Sequence, residues 1–167
     1  EYQIAASEAV VDIFEGQPLA QGDFEVSISN KGSSITFNEK GVGNNLVITE
    51  QQILNNIQKI QLKNGIPKSS QLSLSKSDND ANEFTRLNFT IEMETGTGKT
   101  YTFLRTIYKL NEVYGYKKFV IVVPGIAIRE GALKNLQITH DHFQNLFGNP
   151  PINFSLYDSK NLVALRN

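Results

Sequence analysis

Thr95-Gly96-Thr97-Gly98-Lys99-Thr100 brings two glycines, a lysine and three hydroxyls together in six residues. These residue types at this spacing suit the holding of polyphosphate. Glycines let the backbone turn so that successive N–H groups face one concavity, a lysine adds a point charge, and a neighbouring hydroxyl ligates Mg²⁺. An apolar, strand-like run (Leu87, Phe89, Ile91) precedes the hexapeptide, and an amphipathic, helix-like run from Tyr101 to Tyr114 follows it. In that context the N-terminus of the helix adds positive potential at the anion. On this reading Thr95, Gly96, Thr97, Gly98, Lys99 and Thr100 bind the phosphates of a nucleotide. Lys99 reaches the β- and γ-phosphates, and Thr100 holds Mg²⁺.

The full phosphate-loop pattern, G-x-x-x-x-G-K-[ST], has a glycine where this chain has Met93. That departure counts against simple kinases and GTPases. It suits helicase-like ATPases, whose first loop often lacks that glycine.

Gln3 is the second candidate. It opens a helix-like run with Ala5, Ala6 and Ala9, and its amide offers both a donor and an acceptor, which fits the edges of adenine. The third lies in Val122-Val123-Pro124-Gly125-Ile126-Ala127-Ile128-Arg129, where a strand-like run gives way to a helix-like one. Ligands of open parallel sheets bind beyond the carboxyl ends of strands. Pro124, Gly125 and Arg129 are therefore placed to meet a nucleic-acid phosphate, the alternative being that Arg129 pairs with an acidic neighbour. His140 and His142 are two residues apart in a helix-like run, so they face different ways and do not make a metal pair. ATP hydrolysis needs a further acidic motif to hold Mg²⁺ through water and orient the attacking water. The chain contains no Asp-Glu dipeptide, so no catalytic residue is assigned within it.

Several elements must position these residues. Residues 4–14 read as a short amphipathic helix ended by Gly16 and Pro18. Phe24, Val26 and Ile28, then Ile35 and Phe37, alternate with polar residues around Asn30-Lys31-Gly32-Ser33, which predicts a β-hairpin. Gly41, Gly43, Asn44 and Asn45 read as a flexible link. Thr49 and Gln52 fit a capping box opening a helix that Gly65-Ile66-Pro67 stops, and polar residues 68–83 read as a mobile surface loop. From about residue 84 the pattern is α/β. Leu87–Ile91 is a strand, 99–114 a helix capped by Gly115, and Phe119–Val123 a strand buried on both faces. Ile128–Leu136 and Thr139–Phe147 are helical, and Ile152–Tyr157 is a strand. This order implies right-handed βαβ crossovers in a parallel sheet with flanking helices.

Length and composition set bounds. A chain of 167 residues can bury a core, and 40% hydrophobic with 20% charged residues is ordinary for a globular protein. Without cysteine there is neither a disulfide framework nor a thiolate metal site, which suits a cytoplasmic location. The longest nearly apolar run, Phe119–Ile128, is broken by Pro124 and Gly125 and is too short to span a bilayer, so no membrane partner is expected. The net charge of −1 gives no global nucleic-acid signature. Between Lys99 and Lys134, however, Lys99, Arg105, Lys109, Lys117, Lys118, Arg129 and Lys134 outnumber Glu112 and Glu130.

Taken together, the motifs resemble those of one family. Ile91-Glu92-Met93-Glu94-Thr95-Gly96-Thr97-Gly98-Lys99-Thr100-Tyr101 with Leu104-Arg105-Thr106 resembles motif I of the Res subunit of type III restriction–modification enzymes. Lys118–Pro124 with Ala127–Gly131 resembles its motif Ia region, Tyr157-Asp158-Ser159 with Leu162 and Leu165-Arg166 the segment after it, and Tyr2-Gln3 with Phe14–Pro18 its N-terminal glutamine motif. The resemblance implies a superfamily 2 helicase-like motor that couples ATP hydrolysis to DNA translocation and cleavage. It also implies a P-loop RecA-like fold, with 1–167 as an incomplete first motor domain. Residues 21–83 would form an insertion-like hairpin and helix, and 84–167 the α/β core. By resemblance Gln3 reads adenine, and Pro124, Gly125 and Arg129 lie near the backbone of double-stranded DNA. A modification (methyltransferase) subunit is the implied partner. The family usually has Ser where this chain has Gly125. The resemblance leaves motif II, the second RecA-like domain and the nuclease outside these residues. Other superfamily 2 translocases, such as a type I restriction motor or a repair helicase, and a non-catalytic nucleotide-binding module are the alternatives.

Overall fold

The computed structural model describes residues 1–19, 24–28, 35–39, 44–75 and 86–157. Along these run α1 (Tyr2–Asp12), β1 (Phe24–Ile28), β2 (Ile35–Glu39), α2 (Glu50–Lys63), β3 (Ser73–Ser75), β4 (Arg86–Asn88), α3 (Lys99–Tyr114) and α4 (Ile126–Leu146). None of these helices is long and apolar enough to cross a membrane.

Local chemistry sets the helix ends. In α2 the Thr49 hydroxyl accepts from Gln52 N at 3.2 Å while Gln52 Oε1 accepts from Thr49 N at 2.9 Å, completing the capping box. Helix α3 ends where Gly115 turns left-handed (φ 70°) and its N–H reaches Asn111 O. The hairpin is antiparallel and pairs Val26 with Phe37.

α1 lies along α3 in the same sense, Gln3 meeting Thr97 at one end and the Tyr114 hydroxyl donating to Val11 O at the other. Burial pushes the Tyr114 phenol above its ordinary pKa, and Asp12, Glu15 and Tyr116 push the same way, so it stays a protonated donor. Among the described residues the buried apolar side chains gather in three small clusters. They centre on Val11, Tyr114 and Tyr116; on Ile13, Ile48 and Ile53; and on Leu104, Tyr108 and Phe143. Phe14 joins the first two and sets its ring edge-on to Phe89, Tyr114 and Tyr116.

Side-chain amides tie the loops down. Gln17 donates to Asn45 O and accepts from Val47 N, both at 2.9 Å. Asn44 accepts from the backbone N–H groups of Lys117 and Lys118, so the expected flexible link is pinned at this residue. Asn56, only 5% exposed, donates from Nδ2 to Ile13 O at 3.1 Å and Glu15 O at 2.9 Å, fastening α2 to the turn after α1. Asn56→Ala leaves those carbonyls without their donor. A loss of about 2 kcal/mol is expected, read as a lower urea midpoint at unchanged slope. No change in midpoint would show that the amide is dispensable.

Several expectations need correction. No parallel ladder forms among the described residues, where both sheets are two-stranded and antiparallel. Phe119–Val123 is not a strand, and Val120 and Val122 are 88% and 86% exposed. β-branched residues favour a pleated surface, but a strand exists only with a neighbour to pair with, and no described segment supplies one here. Ile152–Tyr157 lacks a partner in the same way. The strand expected at 87–91 shortens to β4, which pairs with β3. β3 arises inside the expected surface loop, where Leu72 also packs on the Ile53 cluster. The two helices expected at 128–136 and 139–147 are one, α4, since no glycine or proline interrupts it after Gly131. The first helix runs from 2 to 12 rather than from 4 to 14. The hairpin loop, Gly41, Gly43, residues 76–85 and residues 158–167 lie outside the described residues.

Candidate nucleotide-binding site

Two left-handed glycines shape the loop between β4 and α3, Gly96 at φ 83° and Gly98 at φ 85°. A Cβ at Gly96 would meet nothing within 4 Å, so only its backbone angle demands glycine. At Gly98 a Cβ would also sit 2.5 Å from Gln3 Nε2.

Helix α3 begins its own ladder with Thr102 N to Gly98 O at 3.0 Å. The N–H groups of Lys99, Thr100 and Tyr101 precede that ladder, and no side chain caps them. The first turn carries no acidic residue, so the positive end of the helix is not neutralised by its own side chains. Thr100 lies in this turn, and Thr95 is exposed at the start of the loop.

Lys99 Nζ donates to Glu94 O at 2.7 Å, folding the ammonium back over the loop. The Thr97 hydroxyl donates to the same oxygen at 2.7 Å. Gln3 Nε2 donates to Thr97 O at 3.0 Å, a contact between residues 94 positions apart. That bond uses one amide hydrogen and leaves the other, with Oε1, for a base edge. Gln3 and residues 94–100 thus form one constellation: a side-chain amide, a cation and a row of backbone donors. Its donors suit a polyphosphate, and the Thr100 hydroxyl offers an oxygen of the kind Mg²⁺ takes.

Pro124, Gly125 and Arg129 form a separate place, with no hydrogen bond or ion pair to residues 94–100 among the described residues. Gly125 caps α4 in an extended conformation, and its carbonyl accepts from Arg129 N at 3.0 Å. Arg129 places Nε and Nη2 on Glu130 Oε1 at 3.1 and 2.8 Å, the neighbour pairing that was the alternative to phosphate contact. The pair is exposed, so separating it costs little. Nothing lies within 4 Å of a Cβ at Gly125, so this site would accept the serine usual in the resembled family.

The structure adds groups that the sequence did not mark. Thr102 Oγ1 donates to Gly98 O at 3.2 Å, and the Tyr101 hydroxyl meets His142 Nε2 at 3.0 Å. His142 buttresses the first turn of α3, across 41 positions and with no periodic signature to reveal it. Glu94 enters through its carbonyl, which no residue pattern reports.

A family model described as the type III restriction enzyme, res subunit, matches residues 1–161. The Res subunit of the type III restriction-modification enzyme EcoPI of Escherichia phage P1 is 34% identical over 146 residues, covering 86% of this chain and 13% of that protein. The EcoP15I Res subunit of Escherichia coli is 38% identical over 102 residues, covering 60% of this chain and 10% of its own. The StyLTI Res subunit of Salmonella typhimurium is 48% identical over 68 residues, or 38% of this chain and 7% of that protein. The chain therefore spans only 7–13% of the length of these relatives. No solved structure gives a significant match.

Proposed function

The chain belongs to the family of type III restriction enzyme Res subunits, and from that premise we propose that Gln3 and residues 94–100 are the ATP site of a restriction motor. The observation that carries this reading is convergence. Two left-handed glycines, an unneutralised helix N-terminus, Lys99 and the Gln3 amide meet at one loop. Backbone N–H groups at the start of α3 take the phosphates, Lys99 leaves Glu94 O for the β- and γ-oxygens, and the Thr100 hydroxyl holds Mg²⁺. Gln3 reads adenine with the amide atoms that Thr97 does not use.

In the whole protein this site drives DNA translocation and cleavage, in company with a modification methyltransferase subunit. Pro124, Gly125 and Arg129 line the path of double-stranded DNA, with Arg129 exchanging Glu130 for a backbone phosphate. Residues 1–167 contain no acidic pair to orient the attacking water, so this chain alone is expected to bind nucleotide without hydrolysing it.

Calorimetric titration of Mg·ATP and Mg·ADP into this chain, alongside Lys99→Ala, tests the site. The substitution is expected to weaken binding tenfold or more, about 1.4 kcal/mol. Equal affinity of the two proteins would sink the reading.

A further inference from the structure

Glu94 O is an unusual acceptor. It takes the Lys99 ammonium at 2.7 Å, the Thr97 hydroxyl at 2.7 Å and the Thr97 N–H at 3.4 Å. A carbonyl oxygen has two lone pairs, so two short bonds saturate it and the longer N–H contact is marginal. The Thr97 hydroxyl therefore points into the loop's own backbone. Thr97 also accepts from Gln3 Nε2 through its carbonyl, so the residue is held on two sides.

We infer that Thr97 is a positioning residue whose hydroxyl frees Lys99 for the nucleotide, an inference that rests on the proposed ATP site. For Lys99 to reach a phosphate it must leave Glu94 O. The carbonyl then loses a charge-assisted bond at an exposed place on the loop. The Thr97 hydroxyl stays on that oxygen and keeps it satisfied, which lowers the cost of Lys99's departure. With Thr97→Val the shape and β-branching are kept, but the 3.4 Å N–H is the sole donor left, and Lys99 is held in competition with the phosphate. Losing that one hydrogen bond, in the upper part of the usual net range, is expected to weaken binding about five- to tenfold.

The test is a double-mutant cycle on the whole chain, titrated with Mg·ADP by calorimetry. Thr97→Val is expected to weaken binding about five- to tenfold, Thr97→Ser to restore it, and Thr97→Val to add nothing in a Lys99→Ala background. Thr97→Val binding like the wild type would overturn the inference and leave the ATP site standing. So would a fully additive effect with Lys99→Ala, which would mean that the hydroxyl touches phosphate itself. A wild-type chain that binds no nucleotide would remove both the site and the inference.

Discussion

Gly98→Ala is expected to abolish nucleotide binding in the accessible range while leaving the helices folded. Two costs add at this position. An L-residue held at φ 85° pays about 1–2 kcal/mol against its own carbonyl. The new Cβ would also lie 2.5 Å from Gln3 Nε2, closer than atoms approach, so the amide must move. Moving it breaks the bond to Thr97 O, worth about 0.5–1.5 kcal/mol. Relief of this strain is expected to re-aim the N–H groups at the start of α3, and nucleotide affinity should fall with them. Gly96→Ala is the control, because its angle is similar but its Cβ would meet open space. It incurs the backbone cost alone and should weaken binding less. Adding Gln3→Ala to Gly98→Ala removes the clash and should recover no adenine contact, so the double variant stays weak. Calorimetry on the four proteins decides the matter. Gly98→Ala binding as well as Gly96→Ala would show that Gln3 does not press on the loop.

What was legible in the sequence was local. The bounds of α3, the Thr49–Gln52 capping box and the alternating hairpin each follow from residues a few positions apart. The proposed phosphate loop is also contiguous, and the left-handed turns at Gly96 and Gly98 fall on the glycines that the sequence shows there. The contacts that assemble the site are not contiguous. Nothing near Gln3 announces Thr97, and nothing near Tyr101 announces His142. Asn44 and Asn56 look like surface residues until their amides are seen on distant backbone. The strand pattern of Phe119–Val123 misled for a different reason: β-branched residues report suitability for a sheet, whereas a strand also needs a neighbour beside it. A helix makes its hydrogen bonds within itself, so α3 was legible from its own residues, whereas a strand at Phe119–Val123 depends on a distant partner.

Phe143→Ala should cause the largest loss of stability, about 3–5 kcal/mol, through lost transfer energy and the cavity left behind. The ring is 1% exposed and lies against Tyr101 and Tyr108 with centroids at 5.0 and 5.1 Å. With Leu104 and Tyr108 it forms the cluster that seats α4 on α3. The Ile13–Ile48–Ile53 cluster shares no buried residue with it. The damage should therefore be regional. Hydrogen exchange should show α4 and the first turns of α3 losing protection while α2 keeps most of its own. Ile53→Ala should give the converse, with α2 loosened and α4 retained. A uniform loss of protection in both variants would show that the three clusters unfold as one unit. The consequence for the site follows from position. Tyr101 comes directly after Thr100 and is held by Phe143 and His142, so the aromatic layer fixes the turn that presents the backbone donors. Phe143→Ala should then weaken nucleotide binding even under conditions where the chain remains folded. His142→Ala, which removes the 3.0 Å contact and spares the buried ring, should do so more mildly.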